Sequence, residues 1–415
     1  MDALALAKEN YARTTLDHCV KCTICETQCP VARVTDLFPG PKYSGPQGER
    51  FRDGASVDKS IDYCSSCGIC TYACPQGVKI AEMISQGKAA MKDGNIPLRD
   101  KLITQTNLMG QMMTPLAPIA NAALGVKPIR VAVEKVIKIH RDAPMPVAQS
   151  QSFLGWLKKR KAPTGPFPNG KVVFFHGCAG GWFEVETSKR TVEVLEHLGF
   201  EVIVPKQGCC GLAQQSNQLF NAATKSVVKL ANQLREPGTD LPIVSSSGSC
   251  AGMLKHEAHE IMGVEDPALL DVGSRMNETM QFLLGLIDKG ILDPSTFRSI
   301  DAHVPYHQPC QVKSQAMGTP TITVLEMIPG LTVEDSNQPC CGIAGTYGLK
   351  AEKYDIAQKV GQPLFSMIKD TNPNLAVCET ETCRWQIRKG TGAKVVHPVH
   401  LVHYALGLSE DLYVG

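Results

Sequence analysis

Two cysteine strings near the start of the chain constrain its fold more than anything that follows: Cys19, Cys22, Cys25, Cys29-Pro30 and Cys64, Cys67, Cys70, Cys74-Pro75 each read C-x2-C-x2-C-x3-C-P. This spacing holds [4Fe–4S] clusters, and the fourth cysteine of each run serves the other run's cluster. Three thiolates two residues apart can wrap one loop around three corners of a cube, which leaves the fourth corner for a distant residue. The expected ligand sets are therefore Cys19, Cys22, Cys25 and Cys74 for one cluster and Cys64, Cys67, Cys70 and Cys29 for the second. Pro30 and Pro75 then turn the chain away. One such string is compatible with zinc; two identical ones, each closed by proline, favour iron and sulfur.

The rest of the chain is then expected to feed electrons to these clusters or drain them. At 415 residues there is room for two or three domains with sizeable cores. A formal net charge of +2 argues against a nucleic-acid partner. The 17 cysteines would suggest disulfides in a secreted protein, but Met1-Asp2-Ala3-Leu4-Ala5 has no basic region followed by an apolar run. The thiols are expected to be cytosolic and mostly ligands.

In chain order, residues 1–18 read as a short helix that brings His18 to the first cluster loop. Pro39-Gly40-Pro41 and Gly45-Pro46-Gln47-Gly48 read as an irregular connector, and Val78 to Met91 as a helix from the spacing of Ile80, Met83, Ile84 and Ala90. The long connector favours an all-helical two-cluster domain over a compact one with small sheets. Residues 102–126 carry no formal charge, yet Pro115, Pro118 and several amides argue against a transmembrane span. What remains is an apolar segment suited to a membrane surface or a hydrophobic pocket. Lys158-Lys159-Arg160-Lys161, after Phe153, Leu154, Trp156 and Leu157, pairs basic with aromatic residues as anionic headgroups require; a buried helix followed by a solvated charge run is the alternative.

From Lys171 apolar strands alternate with helices, and the pattern occurs twice. The first unit places Cys178 after strand 172–175, Cys209-Cys210-Gly211 after strand 202–204, and Cys250 after strand 243–244. The second places Cys310 after a strand near Val304, Cys340-Cys341-Gly342 after strand 331–333, and Cys378 with Cys383 after strand 376–377. Cysteines at the carboxyl ends of strands lie where open α/β sheets expose their loops, and the two lobes are expected to face each other.

A vicinal Cys-Cys-Gly with one cysteine upstream and another downstream resembles the CCG domain of heterodisulfide reductases and their relatives, which occurs in tandem and can bind iron–sulfur clusters. The glycine lets the backbone turn without a Cβ clash. The family pattern closes with C-x-x-C, from which this chain departs. Ser247 stands in the leading place before Cys250; in the second unit either Cys378 and Cys383 form a spread pair or Thr380 has replaced the leading member. The second unit keeps Cys310, Cys340, Cys341, Cys378 and Cys383, against Cys178, Cys209, Cys210 and Cys250 in the first. A third cluster is expected in the second lobe ahead of the first, with purely structural cysteines as the alternative.

Nearly the full length resembles the family of C subunits of anaerobic glycerol-3-phosphate dehydrogenase. The residues that carry the likeness include Cys19-Val20-Lys21-Cys22-Thr23-Ile24-Cys25, Asn107-Leu108-Met109-Gly110, Cys340 through Gly348, and Glu381-Thr382-Cys383-Arg384-Trp385-Gln386. The resemblance implies an iron–sulfur subunit with no substrate chemistry of its own. It would take electrons from flavin-carrying A and B subunits that oxidise sn-glycerol 3-phosphate, tether the complex to the cytoplasmic face of the inner membrane as a peripheral protein, and pass electrons to quinone, menaquinone in particular, in anaerobic respiration. The alternatives are an iron–sulfur subunit of glycolate or lactate oxidation and a catalytic thiol-disulfide protein.

In agreement, no G-x-G-x-x-G opens a βαβ unit and no Ser/His/Asp or paired-carboxylate arrangement stands out. His176 and His307, just upstream of each unit's first cysteine, are placed to reach cluster sulfur or quinone oxygen. His397, His400 and His403 read as surface residues, with a haem or metal site as the alternative. The expected class is α+β: a mainly helical two-cluster ferredoxin-like domain (1–100), a helical linker (101–170), and two α/β CCG lobes (171–300 and 301–415).

Overall fold

The computed structural model describes residues 11–52, 58–372 and 374–412. Most of the helix expected over 1–18 lies outside them; its described end forms the turns Tyr11–Thr14 and Thr15–His18 and leaves His18 exposed. The two cysteine loops share one backbone. A left-handed residue precedes the second cysteine of each, Lys21 and Ser66, and another follows it, Thr23 and Gly68. Both then enter a single helical turn, Ile24–Thr27 and Ile69–Tyr72, which carries the third cysteine.

The connector between the strings is not the irregular loop its Pro/Gly content suggests. Residues 41–49 are helical, with a π turn at Tyr43–Gln47 around Pro46. A widened turn accommodates a proline that lacks an N–H, and Gly45 lets the turn press on the next helix, since a Cβ there would lie 2.9 Å from Ile80 Cγ2. That helix, Ile80–Lys92, matches the expected one and is buried over most of its length. Among the described residues no strand precedes Lys171, so the N-terminal domain is helical as its spacing implied.

Residues 98–137 form a paddle of short helices, Leu98–Ile103, Thr106–Met113, Thr114–Leu116, Ala117–Gly125 and Lys127–Ile137. Pro115 and Pro118 stand in first turns, where a missing N–H costs little. The chain bends by 89° between Thr106–Gly125 and Lys127–Ile137, and among the described residues no single helix is long and apolar enough to cross a membrane. Two of the amides that argued against a span have protein partners. Asn107 Oδ1 accepts from Trp182 Nε1 at 3.1 Å, and Asn121 exchanges two 2.9 Å bonds with the backbone of Ala148. Gly110 lets the paddle close on the first lobe, because a Cβ there would meet Trp182 at 2.2 Å.

Each lobe is a four-stranded, wholly parallel sheet. The first joins β1 (Lys171–Phe175), β2 (Glu201–Ile203), β3 (Ile243–Ser245) and β4 (Met276–Glu278) in the order β2-β1-β3-β4. The second repeats it with β5 (Ala302–Tyr306), β6 (Leu331–Asp335), β7 (Leu375–Val377) and β8 (Lys394–Val396) as β6-β5-β7-β8. Helical crossovers bury both faces, so β1 and β3 read as continuous apolar runs. Strand order reverses between β1 and β3 and between β5 and β7, which opens a crevice at the carboxyl ends in each lobe. The lobes share one core in which Val172, Val194 and Met280 pack with Val304, Val377 and Leu401.

The stretch before β1 departs from its membrane reading. Phe153 is fully buried against Phe174 and His176, and Trp156 and Leu157 pack on the same cluster. Arg160 is paired with Glu196 and lies over the Trp156 ring. The aromatic residues anchor the linker to the first lobe; Lys158, Lys159 and Lys161 remain exposed.

Candidate iron–sulfur and thiol centres

The helical domain brings its eight cysteines into two groups. Cys19, Cys22, Cys25 and Cys74 line one pocket at the surface, with Lys21, Lys42 and Pro75 around it. Cys29, Cys64, Cys67 and Cys70 line a second, more enclosed one with Pro30, Val31 and Phe38. Each group thus combines three cysteines of one string with the last of the other. Backbone N–H groups point at sulfur: Ala32 at Cys29, Ser66 at Cys64 and Val78 at Cys74, each at 3.4 Å.

These thiols repel each other's ionised forms. Burial, then Glu26, Cys74, Cys19 and Cys22, push Cys25 up to about 11. Burial chiefly, opposed by Ala32 N–H, puts Cys29 at about 12, and Cys67 and Cys70 are raised further by burial. A buried set of thiols with N–H donors aimed at them suits a thiolate-binding iron centre, whose positive charge removes the penalty on ionisation. The donor sets fit two [4Fe–4S] clusters.

In both lobes the Cys-Cys-Gly turn has one geometry. Gly211 and Gly342 take φ of +86° and +92°, and each donates its N–H to the first cysteine of the pair, Cys209 at 3.4 Å and Cys340 at 3.3 Å. A Cβ on Gly342 would lie 2.0 Å from Ala357 O, so glycine is required by conformation and by space. Neighbouring thiols donate to the same sulfurs: Cys178 and Cys210 pull Cys209 down, and Cys310 and Cys341 do so for Cys340. Cys210 Sγ lies 3.2 Å from Cys250 Sγ, and Cys341 Sγ 3.1 Å from Cys383 Sγ.

Ser247 and Thr380 occupy equivalent positions in the two lobes. Ser247 and Thr380 are the N-caps of the helices that carry Cys250 and Cys383 three residues on. Ser247 Oγ accepts from Cys250 N at 3.4 Å and reaches Glu381 Oε2 at 3.1 Å. Cys378 follows β7 at the place Ser246 occupies after β3. It is wholly buried, beside Cys383.

Thiols of both lobes converge on one cavity of about 190 Å³. Cys178, Cys209, Cys210 and Cys250 line one side and Cys310, Cys341 and Cys383 the other, with Cys67 also on its wall. Cys67 packs in one cluster with Cys310 and Cys340, so the enclosed pocket of the helical domain abuts the second lobe. The same domain contact is held by Lys353, which pairs with Asp62 at 2.8 Å, and by Tyr347 Oη donating to Tyr63 O at 2.9 Å.

His307 and His176 are buried, and burial holds them at about 3 and about 4, neutral at physiological pH. His307 Nδ1 contacts Ser336 Oγ at 3.1 Å; its Nε2 has no hydrogen-bond partner, and the ring nitrogen groups with Cys341 and Cys383 within 4.8 Å. His176 instead contacts Gly177 O at 2.5 Å through Nδ1. The expectation that His397, His400 and His403 lie on the surface is wrong: all three are buried. They do not converge either. His400 contacts Thr187 Oγ1 at 3.0 Å, His403 contacts Glu193 at 2.8 Å, and His397 Nδ1 accepts from Val399 N at 3.1 Å.

Two groups of functional residues were not found from sequence. Glu184 of the first lobe meets Arg384, Trp385 and Arg388 of the second, and Ile139 and Met145 wall the thiol cavity beside Ile103, Thr106 and Met109 of the segment expected to suit a membrane surface or a pocket. The run Arg384-Trp385 in the signature around Cys383 was a signal for the first; nothing in the sequence pairs the second group with the cysteines.

The unequal lobes give a test. With five thiols in the second lobe and four in the first, Cys341→Ser is expected to lower bound iron more than Cys210→Ser, measured per chain on anaerobically purified protein. Equal losses would remove the asymmetry, and no loss in either would make these cysteines structural.

Comparison with known proteins agrees with this arrangement. Residues 15–78 match the 4Fe-4S dicluster domain, and residues 172–255 and 304–388 each match the Cysteine-rich domain named CCG. The chain is 35% identical to the C subunit of anaerobic glycerol-3-phosphate dehydrogenase from Escherichia coli K12, over 95% of this chain and 99% of that protein. It is 29% identical to lactate utilization protein A 1 of Bacillus mycoides over 59% of this chain and 99% of that one. To the glycolate oxidase iron-sulfur subunit of Escherichia coli K12 it is 22% identical over 96% of both.

Proposed function

This chain belongs to the family of anaerobic glycerol-3-phosphate dehydrogenase C subunits, and from that premise we propose that it is the non-catalytic electron-transfer and membrane-tethering subunit of such a complex, between flavin-carrying subunits and quinone. The observation that carries the reading is the sequence of thiol groups from surface to interior. Cys22 is exposed in the outer pocket, Cys67 joins the enclosed pocket to Cys310 and Cys340, and these lead to the cavity between the lobes. Iron–sulfur clusters bound there supply one-electron transfer. The cysteines hold them, and the surrounding apolar side chains keep water from the inner sets. Cys19, Cys22, Cys25 and Cys74 form the outer set, and Cys29, Cys64, Cys67 and Cys70 the inner.

Reconstitution with candidate flavoproteins tests this. Electron flow to a quinone is expected with a partner that oxidises glycerol 3-phosphate. Flow only with a partner active on 2-hydroxy acids would favour glycolate or lactate oxidation, and thiol-dependent redox by the isolated chain would favour the catalytic thiol reading.

Tethering falls to the paddle. Leu108, Met112, Leu116 and Ile119 are 52 to 68% exposed on it, with Lys101, Lys127, Lys135 and Lys138 exposed around them. An apolar face bordered by cations suits the surface of an anionic bilayer, where each lysine contributes about 1 kcal/mol. Met112→Glu with Ile119→Glu is expected to abolish sedimentation with anionic vesicles, and salt to weaken wild-type binding. Vesicles that retain the protein through high salt and carbonate would rule out peripheral attachment.

A further inference from the structure

The paddle has a second face, and it belongs to the thiol cavity. Leu102, Leu108 and Met112 point outward and are exposed, whereas Ile103, Thr106 and Met109, on the same helices, wall the cavity between the lobes. On the helix Thr106–Met113, Leu108 stands about 100° round from Met109 and Met112 lies one turn beyond it on the same side, so the cavity wall and the exposed apolar surface meet at Met109. Ile139, Met145 and Pro146 continue the wall; Ile103, Ile139, Met145 and Leu349 pack together as its apolar end, and Leu349 and Ile343 of the second lobe lead from there to Cys341 and Cys383.

The cavity is also roomier than the pockets of the helical domain. The pockets enclosed by the two cysteine strings measure about 20 and 10 Å³, against about 190 Å³ here. Space beyond the sulfurs, bounded by methionine, isoleucine and leucine, is suited to a flat apolar ring. The helix Thr106–Met113 contributes both to this wall and to the surface assigned above to the bilayer.

We propose that the apolar end of this cavity is the binding site for the ring of a membrane quinone, which enters from the lipid beside the paddle and leaves its isoprenoid tail along Met109 and the outer apolar face. The proposal rests on the electron-transfer reading and adds to it the place where the acceptor binds. Met109, Ile103 and Met145 would set ring position, and the cysteine end of the same cavity puts the donor groups next to it. Thr106 supplies a hydroxyl on the wall for a ring oxygen.

The test is photolabelling of the full, iron-loaded chain with a short-chain azido-naphthoquinone, followed by peptide mapping. Label is expected within 98–113 and 139–149 and should be competed away by unlabelled short-chain naphthoquinone. Met109→Trp, which fills the cavity, is expected to cut labelling at least tenfold with iron content and vesicle sedimentation unchanged, while Met109→Leu restores it. Competed label confined to other segments overturns the site, and so does full labelling of an iron-replete Met109→Trp. If that variant does not fold, the wild-type map alone decides. Quinone reduction by the reconstituted complex with labelling elsewhere removes only this site; no quinone reduction with any flavoprotein and no competed label removes the electron-transfer reading as well.

Discussion

Cys67→Ser is expected to abolish electron delivery to quinone by the reconstituted complex, while the flavoprotein's reaction with an artificial dye stays at the wild-type rate. Cys67 differs from the other seven cysteines of the strings in what lies behind it. Of the eight it alone lines the cavity between the lobes, and it lies beside Cys340 and Cys310 of the second lobe. A serine hydroxyl is a hard, weakly acidic donor and a poor replacement for a thiolate on iron. Loss of a partner one step removed from a metal costs roughly 10–100-fold, so loss of a ligand at the junction should exceed that. Cys22→Ser, at the exposed end, should give the same dye-positive, quinone-negative phenotype by breaking entry instead of transfer. Steady-state rates with each acceptor, beside iron content, measure this. Undiminished quinone reduction in both variants would take the helical domain out of the electron path.

The features legible in the sequence were those fixed by local chemistry. Two cysteine strings announce themselves because ligand spacing and the terminal proline are set within twelve consecutive residues, and the Cys-Cys-Gly turns because only glycine accepts their φ. The repeat was legible through apolar runs of two to four residues, each followed by a cysteine. The last strand of each lobe was not, since Met276-Asn277-Glu278 and Lys394-Val395-Val396 carry polar side chains and no cysteine follows them. Composition misled at residues 41–49, where proline and glycine serve close packing on Ile80 instead of a loop. It misled again at Phe153 and Trp156, whose neighbours in space are Phe174 and Arg160, and at the three C-terminal histidines, whose partners Thr187 and Glu193 lie more than 200 positions away. Whether an apolar or polar residue meets a partner at that distance is a tertiary fact.

The same distance hid the contact expected to matter most for stability. Glu184 is buried in the first lobe, and its carboxylate takes Arg384 at 3.1 Å, Arg388 at 3.0 Å and Trp385 Nε1 at 2.7 Å, all from the helix that carries Cys383. Arg384 is fully buried and also donates to Cys378 O at 3.1 Å and Glu379 O at 2.6 Å. It therefore ties the lobes together and fixes the turn before Cys383. Arg384→Met is expected to destabilise the chain by about 3–5 kcal/mol, because the Glu184 charge remains buried with only the part-exposed Arg388 and Trp385 Nε1 to meet it, and the Cys378 and Glu379 carbonyls lose their donor. Glu184→Gln combined with Arg384→Met should recover part of that loss, since no bare carboxylate is left. Arg388, 40% exposed, is screened and should matter far less. Arg384→Lys will not substitute, since one ammonium cannot span the carboxylate and both carbonyls. Acid gives an independent check. Arg384 and Arg388 hold the Glu184 carboxyl below its ordinary value despite burial, so its contribution is complete above about pH 4.5. That contribution fades as pH falls through the lowered folded value; in Arg384→Met this acid limb is lost, and protonation of the buried Glu184 on acidification should instead return part of the stability, as Glu184→Gln does. Urea titration of both variants, with bound iron followed in parallel, decides the matter. A loss below about 1 kcal/mol for Arg384→Met, the level of an exposed pair, would mean that the lobes are held by their shared apolar core and that this cluster only orients the Cys383 helix.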